Sequence, residues 1–150
     1  MYALVVVALM FVVPIGCTIF EVFESNQGIF AFGIVLKWFV FWAVGVRLLL
    51  AGLRQIIQPR YTAELLGIES PDSTLLIREL GFANTAIGCI AAGSLTWSGW
   101  QLPAAVAGSV FYSLAGVNHV LRKARNRNQN IAMISDVLVA VVLIVCLLPS

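Results

Sequence analysis

Apolar residues fall into five long runs separated by short polar interruptions, each run approaching the roughly 20 residues that carry a helix across a bilayer. They extend from Tyr2 to Phe20, Gly28 to Leu53, Leu75 to Trp97, Leu102 to Leu121 and Ile131 to Leu148. Only Ser98, Gly99, Trp100 and Gln101 separate the third from the fourth, and Pro103 suits the first turn of a new helix, so a tight outer turn is expected there. The pattern predicts an all-α protein, an integral membrane bundle of about five transmembrane helices.

The connection at about 54–73 has its own pattern. Pro59 stops a helix, a short apolar turn follows from Tyr61 to Leu66, and Gly67 can cap it, which predicts a segment along the membrane surface. Ser70, Pro71 and Asp72 then read as an N-cap, a proline at the first helical position and an early acid, so the third long helix should begin near Pro71. Arg78 and Glu79 would then lie two turns into that helix, at the inner headgroup boundary.

Composition points to the same solvent. Apolar residues make up 61% of the 150 and charged residues 11%, against roughly 25% charged in soluble domains. A chain this short has too high a surface-to-volume ratio to hide that excess from water, so lipid is its partner. A rival reading of the first run is a lipoprotein-type signal ending at Gly16-Cys17, but no basic residue precedes it and Pro14 stands where that pattern wants an aliphatic residue. An uncleaved first helix is expected.

The net charge of +2 adds little, whereas the placement of cations gives orientation. Arg122-Lys123-Ala124-Arg125-Asn126-Arg127 is the densest basic run and should be cytoplasmic, together with Arg54 and Arg60. Glu21 and Glu24 fall on the opposite side with no cation near them in sequence. The expected arrangement is a multi-pass protein of the inner membrane with the N-terminus cytoplasmic and the C-terminus outside. A short basic run beside a membrane helix is the ordinary topology signal, and no nucleic acid is expected as a partner.

Cys17, Cys89 and Cys146 all lie inside apolar runs, and a bond between Cys17 and Cys146 is left open. No CxxC, HExxH, GxGxxG, P-loop or GxSxG pattern occurs, and one histidine supplies neither the count nor the spacing for zinc or haem. No catalytic residue, metal ligand or cofactor is assigned.

Polar residues inside the runs carry the remaining information, because a charge near the middle of a membrane helix costs about 2.5 to 3.5 kcal/mol and generally faces the bundle interior. Lys37 and Arg47 lie in the second run, Glu79 and Asn84 in the third, Asn118 and His119 in the fourth, and Asp136 in the fifth. Counting about 1.5 Å per residue from the helix ends brings all but Lys37 to the inner leaflet. His119 and Asp136 fall within a turn of the same depth and should interact, while Arg47 should pair with Glu79. Glu79 and Asn84 are about 140° apart around a helix, so both cannot point at one spot. Tyr112, Gly116 and His119 share a stripe, and Ala104, Gly108, Tyr112 and Gly116 repeat every fourth residue, the spacing for close helix contact. The candidate binding residues are Arg47, Glu79, Asn84, Tyr112, His119 and Asp136.

Arg47-Leu-Leu-Leu-Ala-Gly52-Leu, then Pro59, then Arg78-Glu79-Leu80-Gly81, resembles the DoxX-like small bacterial membrane proteins. Their pattern is an arginine in a helix ending in glycine and proline, then an acidic residue opening the next. Asn118-His119 and Asp136 look like a largely uncharacterised branch of that group. The resemblance covers Arg47 to Leu148 and implies a four-helix bundle over 28–150, with 1–27 as an N-terminal helix and outer loop. It also implies Arg47, Glu79 and Asp136 as site residues, and some members are small subunits of quinone-linked sulfur-oxidising complexes.

Three expectations follow. The first is a non-enzymatic membrane protein whose inner-leaflet cluster binds a small polar or quinone-like ligand or passes a proton, the second an accessory subunit of a quinone-dependent redox enzyme. The third is a structural bundle that assembles as a homo-oligomer or within a membrane complex through its small-residue stripes.

Overall fold

The computed structural model describes residues 2–25, 32–67, 70, 73–121 and 127–148. Five helices in it are long and apolar enough to cross a membrane: α1 (Ala3–Ser25), α2 (Phe32–Ile57), α4 (Ser73–Gly93), α5 (Gln101–Leu121) and α6 (Arg127–Leu147). A short α3 (Pro59–Leu66) joins α2 to α4. Large apolar side chains point outward along the bundle, among them Leu4, Phe23, Leu76, Leu114 and Leu121. Water would not tolerate such a surface, but lipid does, so the chain is a multi-pass membrane protein.

The close pairing of α2 with α4 has a backbone cause. Gly45 and Gly52 on α2 meet Gly88 and Gly81 on α4, both pairs seven residues apart, with the helices running antiparallel. A Cβ on Gly88 would lie 2.7 Å from the Leu49 nitrogen, and one on Gly45 would lie 2.7 Å from the Ala92 nitrogen. Small residues let membrane helices approach this closely, where packing rather than water exclusion drives association. In α5, Gly108 seats Val44 and Gly116 seats Val137, so the fourfold small-residue stripe is a contact face toward α2 and α6.

The core is built from Val6 and Met10 of α1, Val40, Ala43, Val44 and Leu48 of α2, Ala91 of α4, Tyr112 of α5, and Val139 and Leu143 of α6. The α1–α2 contact also has a polar clasp: Lys37 Nζ lies 2.5 Å from Glu21 Oε2, and Trp38 Nε1 donates to the same oxygen at 2.7 Å. Glu21 therefore does have a cation beside it. Its partner is sixteen residues away in sequence.

Helix limits differ from the apolar runs where polar backbone geometry takes over. Helix α4 stops at Gly93 rather than continuing to Trp97, because the chain turns through 94–96 and Trp97 is extended before a 3₁₀ turn at Ser98–Trp100. Pro103 lies in the first turn of α5. Pro59 opens α3, and Gly67 closes it in the left-handed conformation at φ 68°, which only glycine adopts without cost. The expected start near Pro71 falls outside the described residues, although Ser73 donates through both its N–H and its hydroxyl to the Ser70 carbonyl. Arg122 to Asn126, on which the orientation rests, also lies outside them. All three cysteines are unbonded.

Candidate functional site

Two stretches of π-helix interrupt the long helices, Ala8–Val12 in α1 and Val40–Val46 in α2. The second shapes the site. At its end the Arg47 N–H is shared between the carbonyls of Trp42 and Val44, which passes over the Ala43 carbonyl that an α-helix would have used. The Tyr112 hydroxyl, from fully buried Tyr112 on α5, donates to that Ala43 carbonyl. Widening one helix thus supplies an acceptor that fixes the phenol of another. Arg47 begins the α-helical stretch just after it.

Below this junction, toward α3, lies a cavity of about 640 Å³ walled by all six helices. Arg47, Leu48, Arg54 and Gln55 enter it from α2, Tyr61 and Thr62 from α3, and Asn84 from α4. Tyr112, Asn118 and His119 enter from α5, Ala132 and Asp136 from α6, and Val5 and Val6 from α1. Leu50, Leu80 and Leu114 also line it although they are exposed on the outside of the bundle, so the wall reaches the surface that faces lipid.

The polar lining has two parts. On one side the His119 Nε2 lies 3.6 Å from Asp136 Oδ2, the distance of an ion pair rather than a direct hydrogen bond, and the Arg47 charge acts on the same carboxylate. On the other, Asn84 Nδ2 donates to Gln55 Oε1 at 2.8 Å. Asn84 is only 3% exposed, and its Oδ1 has no hydrogen-bond partner among the described residues. The Arg47 Nε is likewise buried without one. A buried polar group left unsatisfied costs about 1 to 3 kcal/mol, so these atoms are places where a bound molecule or water would be stabilised. Among the described residues two guanidinium groups, Arg47 and Arg54, border the cavity against one carboxylate, Asp136. The Arg54 guanidinium stacks over the Tyr61 ring at 4.2 Å, tying α3 across the cavity end.

Five of the six residues singled out from sequence, Arg47, Asn84, Tyr112, His119 and Asp136, border this one cavity. Glu79 does not: it is exposed, on the far side of α4 from Asn84, and forms no ion pair with Arg47. The 140° between Glu79 and Asn84 decides the matter, for α4 turns Asn84 inward and so turns Glu79 out at its headgroup end. Arg47 instead lines the cavity together with Asp136, on whose carboxylate its charge acts, and that carboxylate pairs with His119.

Gln55, Tyr61 and Thr62 escaped the sequence reading. Gln55 follows Arg54, itself one heptad after Arg47, so its side of α2 was open to inference, whereas the inward turn of α3 has no signal in sequence. Among the described residues no three His, Cys, Asp or Glu side chains gather as metal ligands would.

A family model matches residues 4–150, that of a family of unknown function designated DUF6790. The chain belongs to that family. No curated protein and no solved structure matches it.

Proposed function

We propose that this DUF6790 protein is a non-enzymatic membrane protein that binds a small amphipathic molecule in the cavity between its helices. The observation that carries the reading is the pair of buried atoms, unpartnered among the described residues, on two side chains that line one cavity, Arg47 Nε as donor and Asn84 Oδ1 as acceptor. Helix ends that needed only register could have been fixed with every polar group satisfied, as the Lys37–Glu21–Trp38 clasp is. The volume suits a ligand head and the start of its chain. Exposed Leu50 and Leu114 at the wall allow entry from the bilayer.

The basic residues of the 54–73 connection favour the cytoplasmic side for α3; on that reading the cavity lies in the inner leaflet, with the N-terminus inside and the C-terminus outside. The second reading, an accessory subunit of a quinone-dependent enzyme, follows from the DoxX-like pattern around Arg47 and Pro59. The His119–Asp136 pair favours a version of either reading in which a proton is exchanged with the ligand.

Mass spectrometry of solvent extracts from the purified protein tests the binding. Wild type should retain one amphiphile in near-stoichiometric amount, and Asn84→Leu should lose it while remaining folded. Equal extracts from the two would remove the cavity from consideration as a site, and a retained quinone would favour the redox-subunit reading.

A further inference from the structure

We infer that the ligand is an anionic lipid whose head carries a free hydroxyl beside its phosphate, a glycerophosphate head of the phosphatidylglycerol type. This rests on the binding reading above and names the chemistry of its ligand. Charge gives the first half. Arg47 and Arg54, one heptad apart on the same face of α2, both border the cavity, against the one carboxylate of Asp136 among the described residues. Among the described residues guanidinium groups thus outnumber carboxylates at the cavity, and an anionic head balances them. A guanidinium is suited to phosphate oxygens, and Arg47 Nε presents a buried N–H that nothing else takes among the described residues.

The second half comes from Asn84. A bare phosphate diester offers only acceptors and cannot satisfy the amide oxygen of Asn84. Its Nδ2 is already engaged by Gln55, so the open position calls for a donor. A hydroxyl supplies it, and a neighbouring hydroxyl on the same head places donor and phosphate on one molecule. Choline and a plain methyl ester lack the hydroxyl.

The wall settles the source. Leu50 and Leu114 are 50% and 65% exposed and line the cavity from the lipid-facing side, so acyl chains can leave the head in place and lie outside the bundle. A soluble glycerophosphate would have no use for that apolar opening.

Native mass spectrometry in detergent, with one equivalent of a defined dioleoyl lipid, tests the assignment. The probes are phosphatidylglycerol, phosphatidylmethanol, which is anionic without a hydroxyl, and phosphatidylcholine, which is neither. Phosphatidylglycerol should bind about tenfold tighter than phosphatidylmethanol, the ratio expected for one buried acceptor left unmet, and phosphatidylmethanol should exceed phosphatidylcholine. Arg47→Gln should erase the second difference, and Asn84→Leu the first. Equal binding of phosphatidylglycerol and phosphatidylmethanol by wild type overturns the hydroxyl assignment, and equal binding of all three overturns the anionic one. Both outcomes stand on wild type alone, whether or not the variants fold, and both leave the binding reading in place. Retention of none of the three overturns the lipid assignment, whereas the binding reading itself stands or falls on the solvent extracts of wild type and Asn84→Leu. Displacement of phosphatidylglycerol by millimolar glycerol 3-phosphate would overturn the lipid source.

Discussion

The Tyr112 hydroxyl on α5 donates to the Ala43 carbonyl that the π-helical stretch of α2 leaves open. The hydrogen bond joins α5 to α2 beside the cavity that Tyr112 lines, and both groups lie away from lipid and water. Tyr112→Phe removes the donor and strands the carbonyl. It should lower stability by about 1 to 2 kcal/mol, the scale of an interhelical hydrogen bond in a membrane, read as a lower unfolding midpoint in detergent. An unchanged midpoint would mean that the carbonyl finds another partner.

The α2–α4 seam predicts a sharp difference between glycines. Gly88→Ala puts a methyl 2.7 Å from the Leu49 backbone nitrogen, where no side chain can yield, and should cost about 1 to 3 kcal/mol as overpacking does. Gly99→Ala meets nothing within 4 Å and should be neutral. Thermal unfolding of the two variants beside wild type makes the comparison. Equal stability would contradict the close seam.

Asp136 stands at the centre of the charged side of the cavity, with His119 at 3.6 Å and Arg47 acting on it. Removing one partner of a buried charged pair costs about 3 to 5 kcal/mol because the other is stranded. Asp136→Leu should therefore be severe, and Arg47→Leu combined with it less than additive by about 0.5 to 3 kcal/mol. Glu79→Gln, on an exposed face, should stay within about 0.5 kcal/mol of wild type. The cycle reverses the pairing that sequence alone suggested.

Orientation is open to cysteine labelling. In a background with Cys17, Cys89 and Cys146 replaced by serine, a cysteine at Glu64 on α3 and one at Ser25 at the end of α1 should react from opposite sides of the membrane. Reaction of both from one side would mean that the count of spans between them is wrong.

Five spans were legible in the chain because run length alone separates a membrane helix from its connections, and α3 with its Gly67 cap was legible because proline and glycine act locally. Depth was legible too: counting residues from helix ends brought His119 beside Asp136 and Arg47 and Asn84 toward the same end, while Tyr112 came in through the stripe it shares with His119. Rotation between helices that are not neighbours in sequence was not. Depth placed Glu79 near Arg47, but only the Gly52–Gly81 and Gly45–Gly88 contacts fix which way α4 turns, and they send Glu79 outward. The π-helical stretch at Val40–Val46 left no mark in an unbroken apolar run, for it packs against α4, α5 and α1, and none of those contacts is local in sequence. The Lys37–Glu21 clasp joins residues on either side of a connection, and neither predicts the other.

A structure determined in lipid, at a resolution that separates a phosphate from water, tests the central claim most directly. The account predicts one continuous head-and-chain density in the cavity, with oxygen atoms within hydrogen-bond distance of both Arg47 Nε and Asn84 Oδ1 and its chains leaving past Leu50 and Leu114. A cavity holding only separate waters, or closed so that those two atoms pair with protein groups, would contradict it.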